Sequence, residues 1–332
     1  MRQKSGDANV EIMTGDRRSH GTIAKRLLQS NFDVNSLRTN DTLLYDEWKE
    51  LDSAVLNAFQ TRLTGVSDLL SRGLVYDVKK GLAATVLGFQ DAGDVNPADM
   101  TMDGVNRGQR DRQEYSITYL PLPIIHKDFS FSIREIMESR NGSRPLDTSM
   151  AEMCSRKVAE KAEDLLFNGS SSYTYGGGSI YGYTDFPNRN AFSIVSGGWD
   201  GATGEQIVQD VIDMKQASIN DRCYGPWIIY VSTNFESILD SYFKAESDKT
   251  VRQRILEIGG IQDIKVSDTL AASNVLLVQA QSDTVRIVQG LGLKTVQWDV
   301  EGGMAVNFKV MAITVPQIRA DQAGRCGIVH GS

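Results

Sequence analysis

A polar segment enclosed by two strand-forming segments constrains the fold of this chain more than any other feature. The flanking segments, LAATVLGFQ and YSITYLPLPIIHKDFSFS, are rich in β-branched and aromatic residues, and Tyr115, Ile117 and Tyr119 alternate with polar residues. The segment between them, DAGDVNPADMTMDGVNRGQRDRQ, is almost without large apolar side chains and cannot bury itself. A two-stranded hairpin is marginally stable alone, so this excursion needs a surface to lie on, either its own domain or a neighbouring copy.

An amphipathic helix precedes this excursion. Apolar residues recur there at steps of three and four, which predicts a helix with one apolar face that docks on another surface. Asp41 or Thr42 can cap its start, and Gly65 can end it. The apolar stripe consists of Leu44, Trp48, Leu51, Val55, Phe59 and Leu63.

A second amphipathic helix follows the excursion and opens at Asp147 or Ser149. Ser149 and Glu152 have the spacing of a capping box, and Asn168-Gly169 supplies the left-handed residue that ends the helix. At about 1.5 Å per residue the helix is about 28 Å long, so we interpret it as a strut. Its apolar stripe consists of Met150, Cys154, Val158, Ala162 and Leu165.

The following residues, about 201–300, alternate between helical and strand patterns and predict an α/β unit. Thr203 and Gln206 form another capping box, and Thr233 with Glu236 caps a further helix. WIIYVS is a buried strand, and IKVSD, NVLLVQA, TVRIVQG and KTVQWDV are short strands with turns between them. The final MAVNFKVMAITVPQI is a long β segment that returns to the domain of the strut helix, so the fold class is α+β.

The cysteines and histidines argue against metal or triad chemistry. The cysteines lie far apart without a CxxC pair, and reduced, buried thiols are expected. His20 and His330 lie in predicted tails, so a metal site or a Ser-His-Asp triad would depend on His126 alone. We therefore expect no metal and no other cofactor. The cysteines are Cys154, Cys223 and Cys326.

The glycine-rich loop after the second helix imitates two active-site motifs and matches neither. In GGGSIYG, Tyr181 stands where a nucleophile elbow requires glycine. The loop lacks the lysine of a phosphate-binding loop, and it follows a helix rather than a strand. Glu163 and Asp164 are neighbours on a helix, so their side chains diverge, and we interpret them as a solvated or intersubunit salt-bridge face. The sequence predicts an assembly protein rather than an enzyme.

Charge is distributed unevenly along the chain. The net charge of −7 argues against a dedicated nucleic-acid reader, but residues 1–30 are basic and have the composition of a flexible arm. Two interpretations of the arm stay open, a solvated tail and sequence-independent contact with phosphates. The chain has no apolar window of membrane-spanning length and no apolar core of a signal peptide, which predicts a cytoplasmic protein. The candidate phosphate contacts are Arg17, Arg18, Lys25 and Arg26.

Taken in order, these segments resemble the shell proteins of the HK97-like fold, which build tailed-phage capsids and bacterial encapsulin compartments. The most specific run, from Leu120 to Gly169, is LPLPIIHKDFSFSIREIMESRNGSRPLDTSMAEMCSRKVAEKAEDLLFNG. It is similar to the family's second E-loop strand followed by its spine helix. YDEWKELDSAV through LTGVSDLLSRGL resembles the N-terminal helix of encapsulins and related coat proteins. The similarity covers about residues 41–318.

The resemblance implies an HK97-like architecture, in which the E-loop overlaps a neighbouring subunit and the A-domain packs around hexamer and pentamer centres. The loop from Ser170 to Asp200 would meet adjacent capsomers or pack on its own P-domain. The implied parts are an N-terminal arm (1–40), an N-terminal helix region (41–72), the E-loop (73–132), the P-domain with the spine helix (133–200), the A-domain (201–300) and a return strand with a C-terminal tail (301–332). Candidate intersubunit contacts are Tyr173, Tyr175, Tyr181 and Tyr183 of the loop and Arg110 and Arg112 of the E-loop tip.

The function implied by the resemblance is that of the major capsid protein of a tailed double-stranded DNA phage. Such a protein assembles in the host cytoplasm into hexamers and pentamers around packaged DNA and remains in the virion. Its partners would be further copies of itself, DNA through non-specific contact, and portal, scaffolding or decoration proteins, with no membrane. The alternative within the fold is an encapsulin that encloses a cargo enzyme, although the basic arm and the long polar tip favour the phage interpretation. A compact α/β enzyme is the alternative from another class.

Overall fold

The computed structural model describes residues 45–92, 100, 102, 115–141, 148–195, 198–244, 248–300, 304–321 and 323–332. The predicted basic N-terminal segment, residues 1–30, lies outside these ranges. Most of the polar segment between the two predicted strands of the excursion also lies outside them. Six predicted contact residues therefore have no structural description here, namely Arg17, Arg18, Lys25, Arg26, Arg110 and Arg112.

The described residues form a mixed α+β fold, as predicted. The helices are α1 (Tyr45–Arg62), α2 (Gly65–Ser71), α3 (Ile133–Asn141), α4 (Ser149–Phe167), α5 (Gly204–Asn220), α6 (Glu236–Leu239) and α7 (Val251–Leu256). The strands are β1 (Val75–Asp77), β2 (Val86–Ala92), β3 (Tyr115–Pro121), β4 (Ile125–Ser132), β5 (Ser170–Tyr175), β6 (Gly178–Ile180), β7 (Asn190–Phe192), β8 (Trp227–Ser232), β9 (Ile261–Ser267), β10 (Val275–Gln279), β11 (Val285–Val300), β12 (Ala305–Ile318) and β13 (Ile328–Gly331).

The chain divides into two compact units, each assembled from three separate segments. The first unit takes its described residues from 45–60, 125–158 and 293–312, and the second from 61–124, 159–292 and 313–332. The chain therefore enters and leaves each unit more than once, and α4, β11 and β12 each contribute residues to both.

The first unit has a cluster of buried aromatic rings on one face of a pair of antiparallel strands. β4 pairs with the beginning of β12, from Ala305 opposite Ser132 to Ala312 opposite Ile125. Strand alternation places three buried rings on one face, and the Phe129 and Phe308 rings stack with centroids 5.1 Å apart. The third ring, Phe131, meets Phe308 edge-on at 5.6 Å.

The predicted helix α1 is confirmed, although it ends before the predicted residue. Leu51 and Val55 of its apolar stripe are buried in the first unit, where the Ser155 hydroxyl of α4 donates a hydrogen bond to the Val55 carbonyl. Gly65 does not end α1, because it is the first residue of α2, which has Thr64 as its N-cap residue. A second helix thus follows α1 almost directly.

The strut helix α4 is confirmed, and Gly169 adopts the predicted left-handed conformation at its end, with φ of 70°. Its amide donates to the Asp164 carbonyl at 3.2 Å, as expected of a helix end closed by glycine. The helix starts at Ser149, one of the two predicted residues, and the hydroxyl of the preceding Thr148 donates a hydrogen bond to Glu152 at 3.2 Å. The stripe is buried except at its first residue, Met150, which is exposed.

The second unit is built around a mixed five-stranded sheet with the order β7-β13-β10-β8-β9. All residues of β8 and β10 are buried, as expected for central strands that are covered on both faces. The capping box of Thr203 and Gln206 is confirmed at the start of α5. Ser232, rather than Thr233, caps the short 3-10 turn that precedes α6.

Two predictions about the C-terminal third are wrong. His330 does not lie in a tail, because β13 is inserted between β7 and β10 and buries its side chain. β11 is one strand rather than two, since Gly290 does not mark a turn. A Cβ atom on Gly81 would lie 1.9 Å from the Gly290 carbonyl oxygen, so these glycines permit a close approach of two backbones.

The predicted excursion is confirmed at its base as an antiparallel pair of strands, which we call the arm. β2 pairs with β3 from Val86 opposite Pro121 to Ala92 opposite Tyr115. The predicted second segment is longer than β3, and its remainder forms β4, which pairs with β12 instead. The arm therefore ends at Pro121, eleven residues before the predicted boundary of the E-loop at 132.

The glycine-rich segment after α4 forms a hairpin rather than the predicted loop. β5 and β6 pair around Gly176 and Gly177, which have φ angles of 60° and 82°. Positive φ at both central residues is the requirement of the tight turns that match strand twist. The alternation in SSSYTY, which precedes these glycines, is the sequence pattern that indicates this hairpin.

Candidate functional site

The base of the arm is the candidate site, because the hairpin β5–β6 packs there against the arm within the second unit. A Cβ atom on Gly178 would lie 1.9 Å from the carbonyl oxygen of Tyr119 on β3. A Cβ atom on Gly176 would lie 2.6 Å from the Val86 side chain of β2. Only glycine permits these approaches, so the hairpin supports the arm at its base.

The arm exposes an apolar side next to this contact. The side chains of Ile117 and Tyr119 on β3 are 56% and 44% exposed. Beside them is an open cavity of about 410 Å³, with Phe89 of β2 in its lining. Large exposed apolar side chains grouped around a cavity are typical of a surface that contacts another molecule. Further lining residues are Tyr181, Phe186 and Pro187.

The four tyrosines proposed as intersubunit contacts have different environments. Tyr173 and Tyr175 on β5 are 44% and 52% exposed, so both are available to a neighbouring molecule. Tyr181 is half-buried and packs edge-on against the Phe186 ring at 6.0 Å. These three stay candidate contacts.

The prediction that Tyr183 contacts another subunit is wrong for the folded subunit. Its side chain is fully buried, stacked on Tyr230 at 6.0 Å and edge-on to Phe167 at 5.7 Å. Burial raises the pKa of its phenol well above the usual value. The alternative interpretation, packing within its own subunit, describes this residue.

Glu163 also differs from the interpretation of a solvated face. Its side chain is 1% exposed, and its carboxylate accepts hydrogen bonds from the amides of Thr64, Gly65 and Val66 at 3.2, 2.6 and 3.2 Å. These amides belong to the start of α2, whose first turn has no carbonyl partners of its own. Glu163 therefore joins α4 to α2 and satisfies donors that would otherwise be buried and unpaired.

A second buried carboxylate, Asp68, lies one turn into α2. It accepts a hydrogen bond from the Tyr230 hydroxyl at 3.0 Å and forms an ion pair with Arg72 at 3.1 Å. Each of these charged groups has at least one hydrogen-bond partner, so the network stabilises the fold. Asp164, in contrast, is partly exposed and pairs at 2.7 Å with Lys161 of the same helix.

The spacing of small residues could have identified the burial of Glu163. Ser155, Ala159 and Glu163 follow one another at intervals of four on α4, and all three are buried. A carboxylate in line with two small residues lies on a surface where another helix can approach closely. The apolar stripe alone did not reveal this, since Glu163 lies at its margin.

The histidines and cysteines that the structure describes do not form a reactive cluster. His126 is exposed and lies 3.5 Å from Asp128, and His330 accepts a hydrogen bond from Arg189 at 3.2 Å. Cys154 and Cys326 are buried free thiols, as predicted, and burial raises the pKa of Cys326 to about 12. Cys223 is a free thiol that is only half-buried. Within the described ranges, no group of three or more acidic, histidine or cysteine side chains could hold a metal ion.

No helix among the described residues is both long and apolar enough to cross a membrane.

Replacing Gly178 with alanine is expected to lower the midpoint of thermal unfolding, because the new methyl group would overlap the Tyr119 carbonyl. Such overpacking costs about 1–3 kcal/mol, which corresponds to a few degrees in a chain of this size. Gly259→Ala is the matched control, since no atom lies within 4 Å of its added Cβ. Calorimetry of both variants tests the contact, and equal midpoints would show that the hairpin does not support the arm.

The chain has the HK97-like fold, as predicted. The crystal structure of a virus-like particle from Pyrococcus furiosus superposes with a TM-score of 0.61 at 18% identity, covering 87% of this chain and 99% of that one. The capsid protein of Myoviridae phage XM1 superposes with a TM-score of 0.62 at 11% identity, covering 80% and 91%. At these identities the comparison establishes the fold.

A relative of known role and a protein family also match this sequence. The type 1 encapsulin shell protein EncA of Myxococcus xanthus is 22% identical over 274 residues, which are 80% of this chain and 81% of EncA. Residues 37–331 match a family of unknown function designated DUF6260. The chain belongs to this family, because the match extends over most of its length.

Proposed function

We propose that this chain is the major capsid protein of a tailed double-stranded DNA phage and assembles into hexamers and pentamers of an icosahedral shell. The observation that carries the proposal is an arm with exposed apolar residues, Ile117 and Tyr119, on an HK97-like fold. The arm is the predicted E-loop, and it would lie on a neighbouring subunit. Several weak contacts made at once by each subunit give a stable shell.

The proposal gives each part of the chain a role in assembly. The arm would overlap a neighbour, α4 would be the spine helix of the P-domain, and residues of about 201–300 would form the A-domain around the capsomer centres. The exposed Tyr173 and Tyr175 of β5 would add contacts, because tyrosine is enriched in protein interfaces. Arg110 and Arg112 of the polar tip are further candidates for these contacts.

An encapsulin shell is the second candidate, and the similarity to EncA supports it. The basic segment of residues 1–30 and the polar tip between β2 and β3 favour the phage capsid. Mass spectrometry of shells purified from the native source distinguishes the two. We expect portal and tail proteins together with nuclease-protected DNA, whereas a co-purifying cargo enzyme would support the encapsulin.

Size-exclusion chromatography followed by negative-stain microscopy tests shell formation itself. We expect closed particles in the megadalton range, because every subunit presents several assembly surfaces. Particles below megadalton size at all protein concentrations would contradict both shell proposals. They would instead support the remaining alternative, a compact α/β enzyme.

Deleting residues 1–38 should change assembly fidelity or the amount of retained DNA without unfolding the subunit. The basic residues Arg17, Arg18, Lys25 and Arg26 would contact DNA phosphates through charge alone, so retention should also fall as salt increases. Circular dichroism checks that the shortened subunit is folded, and microscopy with nucleic-acid quantification gives the result. Loss of the folded subunit would show that residues 1–38 are part of the folded structure and not a tail.

A further inference from the structure

Two arginines lie against aromatic rings near the base of the arm. The guanidinium carbon of Arg286, on β11, lies 4.5 Å from the ring centroid of Tyr76 on β1. The guanidinium carbon of Arg319, which follows β12, lies 5.6 Å from the ring centroid of Phe89 on the arm. Both arginines are half-buried, and a cation this close to an aromatic face is attracted to it.

Hydrogen bonds fix both guanidinium groups further. Arg319 donates to the backbone carbonyl of Gln90 on the arm at 2.9 Å, and Arg286 donates through Nε to the side-chain oxygen of Gln317 at 2.5 Å. The bond from Arg286 fixes the orientation of the Gln317 amide, because the flipped amide would place its NH₂ group against the Arg286 N–H. The Gln317 nitrogen is then a buried donor with no partner among the described residues.

The described part of the chain gives neither guanidinium a carboxylate in salt-bridge contact, although the charge of Asp283 acts on Arg286 from farther away. Neither guanidinium lies within 4.0 Å of a carboxylate in the part of the chain that the structure describes, whereas Arg72 and Arg252 pair with Asp68 and Asp240. The Arg319 amide donates to the Thr284 carbonyl at 2.9 Å and the Arg286 side chain to Gln317, so the two arginines are neighbours at the ends of adjacent strands. Burial lowers the pKa of Arg286, the charge of Arg319 lowers it further, and Tyr76 and Asp283 oppose this shift. Two partly desolvated like charges are unfavourable unless an anion joins them.

We propose that the pair of Arg286 and Arg319 binds a carboxylate side chain from a second copy of this chain. The proposal deepens the shell function above and rests on it. A guanidinium group carries N–H groups that a carboxylate can accept through two parallel bonds. A second copy is a suitable source, since the chain carries 42 acidic against 35 basic residues. The site also adjoins the exposed apolar side of the arm, so one interface would include both.

The test compares Arg286→Gln and Arg319→Gln with Arg252→Gln. The control removes an arginine that already has a carboxylate partner in its own subunit, 2.9 Å away. Sedimentation velocity gives the protein concentration at which half of each protein is in shells, at about 0.1 M and about 0.5 M NaCl. We expect a rise of about tenfold for both test variants at the lower salt, and less than about twofold for the control.

Salt gives an independent readout of the same contact. High salt should weaken wild-type assembly more than assembly of the test variants, because they have already lost the charged contact. Circular dichroism of the unassembled subunits checks folding. Should Arg319→Gln fail to fold, Arg319→Lys retains the positive charge but not the paired bonds, and we expect a rise of about threefold.

The possible results separate this inference from the proposed function. A wild-type protein that forms no shell contradicts both. If the wild type assembles and both test variants assemble like Arg252→Gln, the inference alone is wrong. Binding of a DNA duplex to wild-type subunits that Arg319→Gln abolishes, with assembly unchanged, would identify a phosphate site and also overturn the inference.

Discussion

Replacing Glu163 with alanine is expected to destabilise the subunit by about 3–5 kcal/mol, a large part of the total stability of a typical domain. The carboxylate accepts hydrogen bonds from three backbone amides at the start of α2, and its removal leaves these donors without a partner. The smaller side chain also leaves a cavity between α2 and α4. Urea unfolding of the unassembled subunit measures the effect.

Glu205→Ala is the matched control for this prediction. Glu205 is a glutamate on α5 whose exposed side chain pairs with Lys244 on the surface, and such pairs contribute about 0–1 kcal/mol. Similar losses for both variants would show that the amides at the start of α2 do not depend on Glu163. In that case, the junction of α2 and α4 would be stabilised by apolar packing alone.

The pH dependence of stability gives a second measurement of the same residue. Burial raises the pKa of Glu163 above its usual value of 4.5, against the opposing effect of the three amides. The folded state therefore binds this proton more tightly than the unfolded chain, and the stability contribution falls as the pH rises through the folded pKa. The difference in free energy of unfolding between wild type and Glu163→Gln should decrease above pH 4.5. An increase would show that the hydrogen bonds from the amides lower the pKa of Glu163 more than burial raises it.

Removing the outer part of the arm is expected to abolish shell formation while the subunit still folds. Gln90 and Ile117 are directly opposite each other in the antiparallel pair, so residues 91–116 can be replaced by an Asn-Gly turn. This change retains the contacts of Tyr119 with the hairpin and of Arg319 with Gln90. Microscopy and sedimentation should then detect only small species, because the overlap with a neighbour is lost.

A graded variant distinguishes loss of the overlap from a general defect. Replacing Arg110 and Arg112 together with alanine keeps the length of the arm and removes only two charges of its tip. We expect this variant to form shells, but at a protein concentration about tenfold higher than the wild type needs, because charged contacts between subunits are lost. Normal shells from the shortened arm would contradict the role assigned to the E-loop and would require another assembly surface.

The local elements were predictable because their determinants are short-range. The stripe of α4, its glycine end at Gly169 and the capping box of Thr203 and Gln206 follow from spacing along one helix. The base of the arm was predictable for the same reason, since Ile117 and Tyr119 alternate with polar residues. The order of these elements was enough to identify the HK97-like fold, which the structural comparisons confirm.

The environment of individual side chains was not predictable from the same patterns. Tyr173 and Tyr183 belong to one glycine-rich segment, but the first is exposed on β5 and the second is stacked inside the subunit. A turn is predicted between TVRIVQG and KTVQWDV, whereas Gly290 there permits the approach of Gly81 from a distant part of the chain. These outcomes depend on residues far away in sequence, which no local pattern contains.

The sequence by itself determined the helices, the strand pairs of the arm and the absence of a recognisable catalytic motif, because spacing and residue type decide these locally. Only the tertiary structure decided that Glu163 joins two helices, that β13 enters the five-stranded sheet, and that Arg286 and Arg319 lie at the ends of adjacent strands. Burial and charge neighbours arise when distant segments pack together. That physical difference explains why the fold was readable from the sequence, whereas the candidate contact surface required the structure.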